Sequence, residues 1–388
     1  MRGKSLFFWL AALWLSIATA QNTDTLCVAF TGDIMMHGPQ IRGAFDSQSG
    51  RYDFDASFGW IAPLFSSADA VVGNLETTLV KRNYTGYPRF GAPEVLALAL
   101  QRAGFTHLMT ANNHSCDRGA EGIGNTAATL DKLAMEHTGS GTLPLDSVSY
   151  AEIRKGRIRL AVLNYTYGTN GLPVPQGCYV NILDTARVRH DVERLRASKR
   201  FDDIIVFLHW GQQYRTHPSP GQLRWEKFLH SLGIRIIIGN HPHVVEPVVW
   251  NKEKGKLTAY SLGNFISNQR DFPRDGSVVL WVRWIKRQGK LYLDSVRYLP
   301  VWVYKYRSGE RWHFEVLPTS LFVLRKSYFD NDEDFRKMVR YHLYITGFLK
   351  QIPQKTMQAG LDNLLPPPHL WDLPVVKVWS QSLVRNKR

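Results

Sequence analysis

Short apolar runs alternate with helical periods along the first two thirds of the chain. Leu26–Thr31 reads as a buried strand closed by a turn at Gly32. Ala70–Val72 is a second apolar strand, running into Gly73-Asn74-Leu75-Glu76. Pro93–Gly104 carries a proline early and a glycine late, the order that helices favour, and Gly119–Leu133 also reads as helical. Thr106–Thr110, Ile158–Asn164, Asp203–Leu208, Ile234–Ile238 and Lys256–Ser261 read as strands. Helices over Asp184–Lys199 and Gln222–Leu232 lie between them. This β-then-α succession predicts an open α/β sheet with helices on its faces. Beyond Gln269 the texture changes. Ser277–Lys286 and Lys290–Val303 alternate apolar with polar residues, as antiparallel strands do, and Phe335–Leu349 has a helical period. A proline-interrupted tail starts at Leu365.

Nearly every polar cluster falls where a predicted strand ends, and α/β sheets bind ligands outside those carboxyl ends. The residues so placed are Asp33, His37, Glu76, Asn113, His114, His209, His241 and His243. Oxygen and nitrogen donors of this kind suit Mn, Fe, Zn or Mg, and the lack of cysteine among them argues against a structural zinc. His241-Pro242-His243 puts two imidazoles on one side of an extended segment, since positions i and i+2 share a face. A bound cation lowers the pKa of a water to about 7 and polarises a phosphoryl or carbonyl oxygen. His114 follows Asn113 in a turn, where neighbours point apart, so Asn113 can ligate while His114 faces the substrate as a general acid. A single histidine at a strand end is more often a surface or hydrogen-bonded residue than a ligand. The coincidence of five strand ends is what points to a metal. His107 and His137 read as structural or surface residues.

Composition narrows the class. The 388 residues are 44% hydrophobic and 21% charged, which excludes a disordered, collagenous or coiled-coil chain. The formal net charge of +15 favours polyanions, and +10 of it falls from Arg270 onward. With no RRM, KH or C2H2 pattern, nucleic acid is the weaker polyanion, and an acidic polymer or phosphoester is expected instead. Arg2 and Lys4, the apolar run Leu6–Ile17 and Ala18-Thr19-Ala20 read as a cleavable signal peptide over residues 1–20. An exported protein with a mature start at Gln21 follows. The apolar run is shorter than the roughly 20 residues that span a bilayer. Three cysteines allow at most one disulfide, so the protein relies on its core.

Six motifs occur in order: GDIMMH (Gly32–His37), GNLE (Gly73–Glu76), ANNHSCDRGAEGI (Ala111–Ile123), HWGQQY (His209–Tyr214), GNHPHVVEP (Gly239–Pro247) and YSLGNF (Tyr260–Phe265). Together they closely resemble the CapA family of capsule-synthesis proteins associated with poly-γ-glutamate, from about Leu26 to Val303. That family is similar to the calcineurin-like metallophosphoesterases. The resemblance implies an α/β sandwich of two mixed β-sheets flanked by helices, with a C-terminal β-rich extension and helical tail. A domain over 21–305 and a basic extension over 306–388 follow. It implies one or two divalent metal ions held by Asp33, Glu76, Asn113, His209, His241 and His243. His114 is the catalytic residue in this scheme, and His37, Asn74 and Asn264 touch substrate. Three departures stand out: His37 follows Asp33 by four residues instead of two, Glu76 stands where the classical bridging carboxylate is Asp, and Gln213 stands where the family pattern carries Glu. The implied role is synthesis or export of an anionic capsular polymer. The chain acts either as a metal-dependent hydrolase or as a non-catalytic polymer-handling factor, beside a membrane-bound polymer-synthase complex.

Overall fold

The computed structural model describes residues 23–143 and 148–350. The predicted signal peptide and the proline-interrupted tail lie outside the described residues.

One sheet begins with four parallel strands: β1 (Asp24–Ile34), β2 (Ala70–Leu75), β3 (His107–Met109) and β4 (Glu136–Thr138). The chain then leaves for a second sheet, made of β5 (Ala151–Lys155), β6 (Ile158–Thr166), β7 (Asp203–His209), β8 (Ile236–Asn240), β9 (Val248–Asn251) and β10 (Lys256–Ala259). It returns to the first sheet as β11 (Asn264–Ile266), β12 (Gly276–Arg287), β13 (Lys290–Ser308) and β14 (Arg311–Pro318). The eight-stranded sheet has the order β14-β13-β12-β1-β2-β3-β4, with β11 pairing parallel to β1. The six-stranded sheet has the order β5-β6-β7-β8-β10-β9. Both are mixed: β6, β7, β8 and β10 run parallel, whereas β12, β13 and β14 run antiparallel.

The sequence periods explain the layering. Strands apolar on both faces must be covered on both. Val28 and Phe30 of β1 meet Ile205 and Phe207 of β7 and Ile236 and Ile238 of β8 in a core between the sheets. The alternate residues Ala29 and Val71 face outward onto α2 (Val95–Arg102), which follows the short α1 (Gly38–Ala44), and onto the end of α3 (Gly119–Lys132). On the other side Val206 and Leu208 pack against α4 (Thr185–Ala197) and α5 (Pro220–Ser231). Each such side chain contributes roughly 1.5–3 kcal/mol on burial, and Phe207→Ala costs about 3–5 kcal/mol.

The fold is therefore a two-sheet sandwich, not the single open sheet that the βα succession suggests. A β–α–β run looks alike whether consecutive strands join one sheet or switch to its neighbour. Residue 305, the expected end of the main domain, lies inside β13, and β14 extends the same sheet to Pro318. Met338, Tyr341, Ile345 and Leu349 on one face of α6 (Asp332–Lys350) join the inter-sheet core. Among the described residues no helix is long and apolar enough to cross a membrane.

Candidate metal centre

Strand register assembles the site. Asp33 on β1 stands abreast of Asn74 on β2 and Asn264 on β11, so three polar side chains line up across neighbouring strands. Glu76 follows β2 directly, and Asn112, Asn113 and His114 follow β3. On the second sheet His209 ends β7 beside Asn240 at the end of β8, and His241 and His243 follow. The carboxyl ends of both sheets thus empty their polar residues into one place.

The residues form two donor groups that share a member: Asp33, Glu76 and His243 in one, Glu76, His209 and His241 in the other. All five are buried, with Asp33 and Glu76 at 0% exposure. His243 Nδ1 lies 3.1 Å from Asp33 Oδ2 and 3.1 Å from Asn264 Oδ1. His241 Nδ1 lies 3.1 Å from His209 Nε2. Asn74 Nδ2 donates to Asp33 Oδ1 at 2.8 Å and sits 3.2 Å from His209 Nδ1. With Nδ1 so engaged, the His209 proton rests on Nε2, 2.8 Å from Asn113 Oδ1, which accepts it.

Glu76 is the anomaly. Its Oε1 lies 3.6 Å from His209 Nε2, 3.9 Å from His243 Nε2 and 4.0 Å from His114 Nε2, yet neither carboxylate oxygen has a hydrogen bond. Burial, and then the Asp33 charge, hold its carboxyl well above the usual range. Burial, and then the neighbouring imidazoles, hold His209 and His241 well below theirs. Burial foremost, and like-charged neighbours second, thus favour the neutral forms of Glu76, His209 and His241. A buried carboxylate with no donor costs several kcal/mol, and a divalent ion between the two groups would satisfy it. The donor set therefore fits one or two such ions.

The backbone at the histidine pair departs from the extended segment that the i, i+2 spacing suggests. His241 has φ 102° and His243 has φ 59°, left-handed values for residues with side chains. The two rings, 5.8 Å apart, reach the site from a strained turn, one to each donor group.

His114 lies beside the cluster, not within it. Its Nδ1 is 2.7 Å from Asp117 Oδ2, and that oxygen also accepts from the Phe90 backbone N–H at 2.7 Å. The second nitrogen is thereby turned toward Glu76 and a cavity of about 640 Å³ that His114, Asn113, His241 and His243 line. His37 is elsewhere. Its ring packs edge-on against Phe90, which separates it from His114, and it belongs to neither donor group. Burial lowers its pKa to about 4, partly offset by Gln40. Asn74 and Asn264 are fully buried and brace Asp33 and His243, so they sit behind the ligands. His107 is a buried structural residue, its Nε2 3.0 Å from the Glu152 carbonyl.

Sequence reasoning missed Asn112, which donates to the Leu75 carbonyl at 2.8 Å and accepts from the His114 N–H at 3.1 Å. It also missed Asp117, three residues after His114, where the H-x-x-D spacing was the available signal. Tyr167, whose ring lies tilted with its centroid 4.6 Å from that of His241, and Tyr214 stand at the mouth of the cavity. Neither falls in a spacing that could have marked it.

Two relatives are 28% identical to this chain. They are the PGA biosynthesis protein CapA of Bacillus subtilis (strain 168), over 68% of this chain and 69% of that protein, and the capsule biosynthesis protein CapA of Bacillus anthracis, over 67% and 66%. Among solved structures the calcineurin-like phosphoesterase YfkN from Bacillus subtilis aligns over 85% of this chain and 100% of that one. That alignment has a TM-score of 0.43 at 12% identity. The model of the bacterial capsule synthesis protein PGA_cap matches residues 27–269, a span that begins before Asp33 and ends after Asn264 and so holds every residue of the two donor groups. By that match the chain belongs to the bacterial capsule synthesis protein family PGA_cap, the CapA family.

Proposed function

We propose that this chain is an exported, divalent-metal-dependent hydrolase that acts in the synthesis of an anionic capsular polymer of the poly-γ-glutamate kind. Family membership supports the capsule-synthesis role, and the relatives' names supply the polymer. The observation that carries the hydrolase reading is Glu76: fully buried, without a hydrogen bond, and facing three imidazoles.

Asp33, Glu76 and His243 would hold one ion, and Glu76, His209 and His241 a second. A cation there makes a water acidic and polarises a phosphoryl or carbonyl oxygen. Asn74 and Asn264 fix the Asp33 carboxylate and the His243 ring. Asp117 would accept from the His114 Nδ1–H and balance the charge of the imidazolium, the form in which Nε2–H can pass a proton to a leaving oxygen or nitrogen.

The test is to purify the protein, measure bound metals, and assay phosphoesters and γ-glutamyl amides with and without chelator. Hydrolysis that chelation abolishes and added Mn, Fe, Zn or Mg restores is the expected result. Stoichiometric metal and tight polymer binding with no turnover on either substrate class would replace this reading with a polymer-handling factor. The N-terminus of the exported protein should be Gln21, read by N-terminal sequencing. A start at Met1 would overturn cleavage.

A further inference from the structure

A second cavity, of about 620 Å³, adjoins the one over the donor groups. The two share Tyr87, Pro88 and Arg89, so they are lobes of one cleft with that short segment as the saddle between them. Beneath the saddle the rings of His37, Phe90 and His114 run in edge contact, with centroids 5.1 and 4.6 Å apart, from the floor of one lobe to the floor of the other.

The second lobe is built and basic. Arg42 and Arg89 line it, and no Asp or Glu does. Among the described residues neither guanidinium is in an ion pair. The Arg42 Nη1 lies 3.0 Å from where a Gly38 side chain would begin, so the missing side chain lets the guanidinium fold back over the start of α1. Gly86 presses on the same turn, where a Cβ would come within 2.2 Å of the Gly38 nitrogen, and so forms a flat backbone floor. The loop carrying Arg89 is pinned by paired backbone bonds between Thr85 and Gly91, at 2.9 and 2.8 Å, and by Arg118, which donates to the Asn83 carbonyl at 2.7 Å. Two unpaired guanidinia on a fixed loop and a helix turn form a site for a carboxylate, which Arg can bind through two parallel hydrogen bonds.

We propose that this lobe is an anion subsite in which Arg42 and Arg89 hold a carboxylate of an extended acidic polymer while a neighbouring repeat lies at the donor groups. It rests on the polymer reading above. A γ-linked glutamate chain carries one free carboxylate per repeat, and a cleft with two lobes across a saddle suits an oligomer better than a single unit. The exposed Tyr87, at 73%, supplies an apolar face for the stretch of chain that crosses the saddle.

The experiment measures binding of a fluorescein-labelled γ-linked glutamate decamer, and of the γ-linked dipeptide, to the metal-loaded protein at low and high salt. The double variant Arg42→Gln/Arg89→Gln should bind the decamer at least tenfold more weakly and with a shallower salt dependence at parent metal content. Arg42 lines only the second lobe, so Arg42→Gln alone should leave dipeptide affinity at the parent value. The control Lys252→Gln/Lys254→Gln removes two charges from the turn between β9 and β10 and should bind like the parent. A double arginine variant within twofold of the parent overturns the subsite and leaves the polymer reading standing. An equal loss in the lysine control also overturns it, since net charge alone would then explain binding. A parent protein that hydrolyses a phosphoester but binds no decamer overturns the subsite and the polymer reading together.

Discussion

Two buried glutamates at different places in the molecule show what distinguishes a structural carboxylate from one built for a ligand. Glu315, on β14, is 2% exposed and accepts from the Tyr306 hydroxyl at 2.6 Å and from the Tyr328 hydroxyl; Tyr328 in turn accepts from the Trp60 indole N–H at 2.9 Å. Glu76, buried as deeply, accepts from nothing. Burial depth therefore says little about role, and the hydrogen-bond inventory around the group says nearly everything. Glu246 falls between them: Gln222 Nε2 reaches one oxygen at 2.5 Å and the other has no partner. No donor, one donor and at least two donors on three buried carboxylates form a graded series.

The largest expected effect breaks the series at its ends. Glu76→Gln should lose metal and with it essentially all chelator-sensitive turnover, while the metal-free variant folds about as stably as the metal-free parent, because Gln is neutral like the carboxyl that burial keeps protonated there. Glu315→Leu should do the reverse, losing about 2–4 kcal/mol of stability as two hydroxyls lose their acceptor, with unchanged turnover per folded molecule. Denaturant melts, metal analysis and kcat on the two variants decide it.

Next in size are the imidazoles around Glu76. His241→Ala and His243→Ala should shed metal, whereas His114→Ala should keep it and lose roughly 10²–10⁴-fold in rate. If His114→Ala sheds metal as readily as His241→Ala, His114 is a ligand and the proton donor must be sought elsewhere.

Glu246 supplies a pH readout. Burial pushes its carboxyl up to about 8 from an ordinary 4.5, so the folded state keeps a proton that the unfolded chain releases. Its contribution to stability is complete below pH 4.5 and lost as pH rises through 8, at up to about 1.4 kcal/mol per pH unit. Glu246→Gln should flatten the fall in stability between pH 4.5 and 8. Melting curves for parent and variant with parallel pH profiles would contradict this. The smallest effect is at Tyr306→Phe, which removes one hydroxyl donor to Glu315 and should cost about 1 kcal/mol in a denaturant melt.

Much of the site was legible because strand ends carry their own punctuation. Asp33, Glu76, His209, His241 and His243 each directly follow or close an apolar run, and their chemistry suggests a ligand before any geometry is known. The arrangement into two groups sharing Glu76 was not legible, because it depends on two sheets meeting edge to edge at their carboxyl ends. Periodicity gives strands but not the sheet to which each belongs. His37 lies apart from the donor groups for a related reason: four residues after Asp33 the chain has reached the start of α1, where Phe90 stands between it and His114 and its ring lines the second cavity. Asp117 and Asn112 act only through His114 and Leu75, so a single sequence holds little to mark them beyond spacing. In the C-terminal third the alternation at Ser277–Lys286 and Lys290–Val303 correctly gave β12 and most of β13. The following Arg311–Pro318 strand is short and mixed, and it earns its place by pairing with β13.

The course of β1 also gives the molecule a front and a back. The strand enters at Asp24, paired with Lys286 at the far end of β12, and delivers Asp33 to the donor groups about 30 Å further on, at some 3.3 Å per residue. At the other end of the described chain, Phe348 near the close of α6 meets His217, on the loop that also carries Tyr214 to the cavity mouth. Attachment ahead of Asp24 would therefore point the cleft outward from whatever surface holds the protein, whereas attachment after α6 would crowd its entrance. A biosensor or resin coupling made at the N-terminal side should preserve ligand access that a coupling behind Phe348 obstructs.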